Sequence, residues 1–162
     1  MNRHLFAALL LVLFADIVQA GDSPGVVSVR QPLTRLVRRV EVEETCGVRG
    51  VAACTGFVGQ RIDCDCEESD SGWSLRAHAQ FIPVIILSDA TWASHEREHI
   101  ADVREALEAH VYLLRKLHFG SVQECRQEAD RQSAGFGSLM DRFKLESNAA
   151  RHPRFARLLE AK

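Results

Sequence analysis

The sequence predicts an α+β fold: a small N-terminal antiparallel sheet followed by a long αα-hairpin that carries a His-Glu-x-x-His motif. Three observations lead there. Trp73, Leu75, Ala77, Ala79 and Phe81 alternate with Ser74, Arg76, His78 and Gln80, the period of a strand with one wet face. Ile100, Val103, Leu107, Val111, Leu114 and Leu117 recur at helical spacing within a stretch, 90–119, that holds neither Gly nor Pro. Val122, Cys125, Ala129, Phe136, Met140 and Phe143 repeat that spacing after Gly120 and Ser121, which close one helix and cap the next. Strands first and helices second is the order of α+β chains.

Taken from the start, residues 1–20 read as a secretory signal peptide. Asn2, Arg3 and His4 make a polar, basic opening, residues 5–14 are uniformly apolar, and Val18 and Ala20 put small side chains where signal peptidase needs them. Ten apolar residues match an h-region and are too few to span a bilayer. The expectation is therefore a secreted or periplasmic protein with no membrane span after cleavage, and residues 21–162 as a single α+β domain. Val26, Val27 and Val29 suggest a first short strand. Val40 and Val42, alternating with Glu41 and Glu43, suggest a second. Residues 44–54 read as a loop, 57–66 as a strand and 67–72 as a polar turn. The strand at 73–81 is expected to lie at an edge or to end at Pro83, because proline cannot donate to a ladder. Residues 84–87 form a short buried run, and 154–161 a short last helix.

Export changes the meaning of the five cysteines, Cys46, Cys54, Cys64, Cys66 and Cys125. In an oxidising compartment they pair, and an odd number leaves at least one over. Cys64 and Cys66 are too close to bridge each other, so each is expected to reach a distant partner among Cys46, Cys54 and Cys125. A bridge to Cys125 would tie the sheet to the helices. A zinc knuckle fits less well, since the paired Cys-x-x-Cys spacing of structural zinc sites is missing. The charge balance, 20 Lys plus Arg against 22 Asp plus Glu, argues against a nucleic-acid partner. Nothing in the pattern sets the oligomeric state.

The chemistry lies in His95-Glu96-Arg97-Glu98-His99. Residues four apart stack on one helix face, so both imidazoles reach one ion. Glu96 points to the neighbouring sector, where it can take a proton from water activated by that ion. A third ligand must come from elsewhere. Asp102 falls on nearly the same face as the two histidines and suits an imidazole N–H as a hydrogen-bond partner. If the hairpin turns at Phe119-Gly120, His99 lies opposite position 140 and His95 opposite 144. Asp141 is then the first choice for the third ligand on height, Glu146 the second and His152 the third. Glu124 and Glu128 sit too far along the helix. His78 belongs to a wet strand face, His110 to the core edge, and His118 to the apolar stripe at the helix end. Arg35, Arg38 and Arg39 read as a solvated turn.

Through residues 95–99, an export signal and the helix that follows, the chain resembles small gluzincin-type zinc peptidases, and more loosely the short secreted bacterial zinc-peptidase families of unassigned substrate. The resemblance covers the motif and its helix, about a fifth of 21–162. It implies zinc as cofactor, His95 and His99 as ligands, Glu96 as general base and a peptide or protein substrate. It also implies an edge strand that holds the substrate extended, for which 73–81 is the candidate. The alternative is a non-catalytic, disulfide-stabilised binding or envelope protein whose helical hairpin is scaffold.

Overall fold

The computed structural model describes residues 26–153. The expected signal peptide at 1–20 and the expected last helix at 154–161 lie outside them. In chain order come β1 (Val26–Val29), β2 (Leu33–Leu36), α1 (Arg39–Cys46), β3 (Ala53–Ser69), β4 (Gly72–Leu87), α2 (Ala93–Leu114), β5 (His118–Phe119) and α3 (Val122–Arg151). A 3-10 turn, Ala90–Trp92, leads into α2, with the Asp89 side chain accepting from the Thr91 N–H.

The sheet is built around β4. β3 runs antiparallel along one edge of it, from Ala53 opposite Leu87 to Ser69 opposite Gly72. Gly72 sits at φ +113, and a Cβ there would stand 2.7 Å from the Phe119 carbonyl oxygen, so the hairpin admits only glycine. Along the other edge β5, β1 and β2 dock in succession, at 73–74, 78–81 and 84–87. β1 and β2 lie parallel to β4. The α+β class holds, but the expected small antiparallel sheet is a five-stranded mixed one. The reason is chain order: β1 and β2 precede the β3–β4 hairpin, and α1 with β3 supplies the long crossover that a parallel neighbour requires.

Three local expectations need correction. Residues 73–81 are neither an edge strand nor stopped by Pro83, because β4 is the centre of the sheet and continues to Leu87. Pro83 falls between the end of the β1 register at Phe81 and the start of the β2 register at Val84, so its missing N–H breaks no parallel pairing. Residues 39–46 form a helix rather than a strand: Arg38 pairs with Glu41 and Arg39 with Glu43 at helical spacing, and Gly47 closes the helix at φ +68. His118 belongs to β5, is exposed, and takes no place on a helix stripe.

β4 alternates as expected. Leu75, Ala77, Ala79, Phe81, Ile85 and Leu87 are buried toward the helices. Against them α2 lays Ile100, Val103, Leu107, Val111 and Leu114, and α3 lays Cys125, Ala129, Phe136, Met140 and Phe143. α3 begins with a capping box in which Ser121 and Glu124 satisfy each other's backbone N–H groups. Gly135 and Gly137 lie within α3 without interrupting it. Among the described residues no helix is long and apolar enough to cross a membrane.

Cys46 pairs with Cys54, fastening α1 to the start of β3, and Cys66 pairs with Cys125, fastening β3 to α3. Two disulfides fit an oxidising compartment, and with these cysteines paired no four-Cys zinc knuckle exists. Cys64 keeps a free thiol, contrary to the expectation that it reaches a partner. Burial, then the neighbouring Asp65 and Asp63 carboxylates, push that thiol up to about 11.

Closing 59 residues restrains the unfolded chain more than closing 8. Replacing Cys66 and Cys125 by Ala should therefore cost about 4 kcal/mol, and replacing Cys46 and Cys54 about 2.5 kcal/mol, read from urea denaturation. The Cys64 thiol should label at pH 8 roughly 100-fold more slowly in the native chain than in denaturant, where one thiol per chain reacts fully.

Candidate metal centre

The site forms where the N-terminal end of α2 meets the C-terminal end of α3. His95 and His99 are one turn apart on α2, and His152 caps α3, its N–H donating to the Asn148 carbonyl at 2.8 Å. The helices run antiparallel, with His99 facing Ser147 and His110 facing Gln132. This register lies about two helical turns beyond a hairpin folded at Phe119-Gly120. α2 stops at Leu114, and residues 115–121 are spent on a turn and on β5 before α3 starts. The position opposite His99 is therefore 147, not 140.

The three imidazoles converge through one atom each. Nε2 of His95 lies 3.1 Å from Nε2 of His152 and 3.2 Å from Nε2 of His99, and the third side of the triangle is 3.2 Å. A tetrahedral zinc with nitrogens at about 2.0–2.1 Å holds them about 3.3–3.4 Å apart, so the triangle matches one face of such a site. Three His side chains are the group that could hold a metal ion among the described residues. His99 is buried; the ring of His95 is partly open and stands edge-on to Trp92 at 6.3 Å. Burial, with His95 and His152 beside it, pushes the His99 imidazole down to about 4. Burial and His95 lower His152 as well. Neutral imidazole is the form that binds a cation.

Hydrogen bonds settle which nitrogen of His99 faces the triangle. The Ser147 hydroxyl donates to Asp102 Oδ2 at 2.7 Å, and Ser147 Oγ lies 2.8 Å from His99 Nδ1. Hydrogen bonds from Arg151 hold the Asp102 carboxyl below the usual carboxylate range, so it accepts only. The serine proton thus goes to Asp102, the His99 Nδ1–H donates to Ser147, and Nε2 keeps its lone pair. Arg151 binds Asp102 through Nε and Nη2 and reaches Glu98 through Nη1.

Glu96 is buried on the core side of α2. The Thr55 hydroxyl, from β3, donates to Glu96 Oε2 at 2.7 Å and lies 3.2 Å from the Glu96 carbonyl oxygen. The negative charge of its carboxylate partly offsets the lowering of the His152 imidazole. Thr55, Phe57, His99, Val103, Lys144, Ser147 and Asn148 line a water-sized cavity beside it.

Of the residues singled out in the sequence, His95, His99 and His152 come together, and Glu96 lies behind them. Asp141 and Glu146 do not join the group: both are exposed on α3, and Glu146 stands 3.8 Å from Arg142. Asp102 does serve an imidazole N–H, through Ser147. The roles of Thr55, Ser147 and Arg151 do not follow from motif spacing, although the sequence carries one signal of them. Phe136, Met140, Phe143 and Ser147 form one buried stripe, and a serine at its end is a polar group placed where the core wants an apolar one. Comparison of the chain with protein-family models, with curated proteins and with solved structures finds no match.

Thr55→Val keeps the shape and removes the donor, leaving a buried carboxylate oxygen unpaired. It should destabilise the protein by about 1–3 kcal/mol in urea denaturation, whereas Thr55→Ser, which keeps the hydroxyl, should recover most of that loss.

Proposed function

We propose that the protein is an exported zinc-dependent peptidase in which His95, His99 and His152 hold the ion and Glu96 is the general base. The observation that carries this reading is the triangle of Nε2 atoms, 3.1–3.2 Å on each side, with a buried glutamate next in sequence to His95 on the same helix. Two of the ligands and the base come from one His-Glu-x-x-His turn, and the third from the far end of α3. His152, rather than Asp141, is the third ligand in this reading.

Zinc supplies Lewis acidity at such a site, acidifying water to a pKa of about 7 and polarising a carbonyl. The chain's own part is binding and proton transfer. Three neutral imidazoles set the binding face and leave the remaining direction for substrate. Thr55 occupies Oε2 of Glu96 and fixes the carboxylate plane, so that Oε1 is the atom that takes the proton and later returns it to the leaving amine. With β4 at the centre of the sheet, the extended substrate is assigned to β3 instead. β3 pairs with β4 alone and carries Thr55 under the base. The two disulfides suit the secreted or periplasmic setting that the signal peptide implies.

Purified protein should hold about one zinc per chain by elemental analysis. His95→Ala, His99→Ala and His152→Ala should lose it, whereas Asp141→Ala and Glu146→Ala should keep it. Glu96→Gln should keep zinc and lose cleavage of a peptide library by at least about 100-fold. A chain that takes up no zinc is instead the disulfide-stabilised binding or envelope protein.

A further inference from the structure

Asp102 touches no member of the histidine triangle, yet its carboxylate reaches two of them. On one side Oδ2 accepts the Ser147 hydroxyl at 2.7 Å, and Ser147 Oγ in turn meets His99 Nδ1 at 2.8 Å. On the other side Oδ1 and Oδ2 take Nη2 and Nε of Arg151, at 2.6 and 2.5 Å, the two-pronged geometry that fixes direction as well as distance. Arg151 is the residue before His152.

We infer that Asp102 is the positioning residue of the centre, orienting His99 through Ser147 and placing His152 through Arg151. The inference rests on the metal reading of the three histidines. Each branch has its own physical content. Because Asp102 can only accept, Ser147 must present its lone pair to His99, which keeps the ring's Nδ1 protonated and turns Nε2 inward. Because a guanidinium fork bound to a carboxylate cannot swivel, the last turn of α3 is locked against the third turn of α2, and the residue after Arg151 is delivered to the triangle. Glu98, a charged residue inside the motif, adds a further contact to the same guanidinium. The carboxylate thus prepays the ordering of two ligands from helices that meet only by folding.

Removing an ion pair that merely stabilised the helix contact would lower the melting temperature and leave metal affinity alone, and this separates the two roles. Zinc affinity is read by chelator competition, the coordination geometry by the visible spectrum of the cobalt-substituted protein, and fold by the melting temperature of the metal-free chain. Ser147→Ala and Arg151→Gln should each weaken zinc binding about tenfold, and Asp102→Asn about 100-fold, with altered cobalt bands in all three. Ser147→Ala added to Asp102→Asn should cost little more, because that branch is already cut. Ser147→Thr, which keeps the hydroxyl, should restore affinity. Zinc affinity and cobalt spectrum unchanged in Asp102→Asn and Ser147→Ala, beside normal uptake by the unaltered chain, would overturn the inference and leave the metal reading standing. No uptake by the unaltered chain overturns both, and that titration alone tells the cases apart. Should Asp102→Asn fail to fold, Ser147→Ala and Arg151→Lys decide, since each cuts or weakens one branch.

Discussion

Buried polar groups must be paired, and at one end of an otherwise apolar interface this protein buries a carboxylate, an imidazole and a serine hydroxyl together. Glu96, His99, Ser147 and Thr55 are all buried. Left unpaired, each would cost on the order of 1–3 kcal/mol, more for the carboxylate. Thr55 answers Glu96, Ser147 answers His99, and Asp102 answers Ser147. Only then does the chain of bonds reach partly exposed charge at Arg151 and Glu98. The packing of α2 and α3 on β4 makes that burial unavoidable, and the network is what makes it tolerable. Few alternative arrangements of these helices satisfy every group at once, so the network specifies the register of the hairpin as much as it stabilises it.

The helical half was largely legible. Period 3.6 in 100–114 and again in 122–143 places two helices, and the Gly120-Ser121 break with Glu124 marks the capping box. The long strand through 73–87 was legible from its alternation, but its position in the sheet was not, because neighbours are set by chain order and not by local pattern. At 39–46 two periods compete: Val-Glu-Val-Glu alternates like a strand, while Arg38–Glu41 and Arg39–Glu43 have helical spacing. Only one side chain there, Val42, finds burial, and a single anchored position suits a helix of about two turns.

The centre was half legible for a different reason. His95, Glu96 and His99 share one helical turn, so their relation is local and spacing alone reveals it. The third histidine depends on a register across 53 residues. That register turns on how many residues the connection consumes. A hairpin folded at Phe119-Gly120 brings Asp141 level with the motif; seven residues of turn and strand move the meeting point to the stripe that ends in Ser147, Arg151 and His152. Glu98, a charge inside the motif, acquires a partner at the same moment, since it meets Arg151 only in that register.

α3 is held at its two extremities by unlike bonds. Cys125 in its first turn is joined covalently to β3, and Arg151 in its last turn is joined by charge to α2, about 39 Å away along the helix. The first tie yields to a reductant and ignores salt; the second ignores a reductant and weakens as ionic strength rises. The helix therefore peels from opposite ends under two different stimuli, and brine reaches the histidine end first.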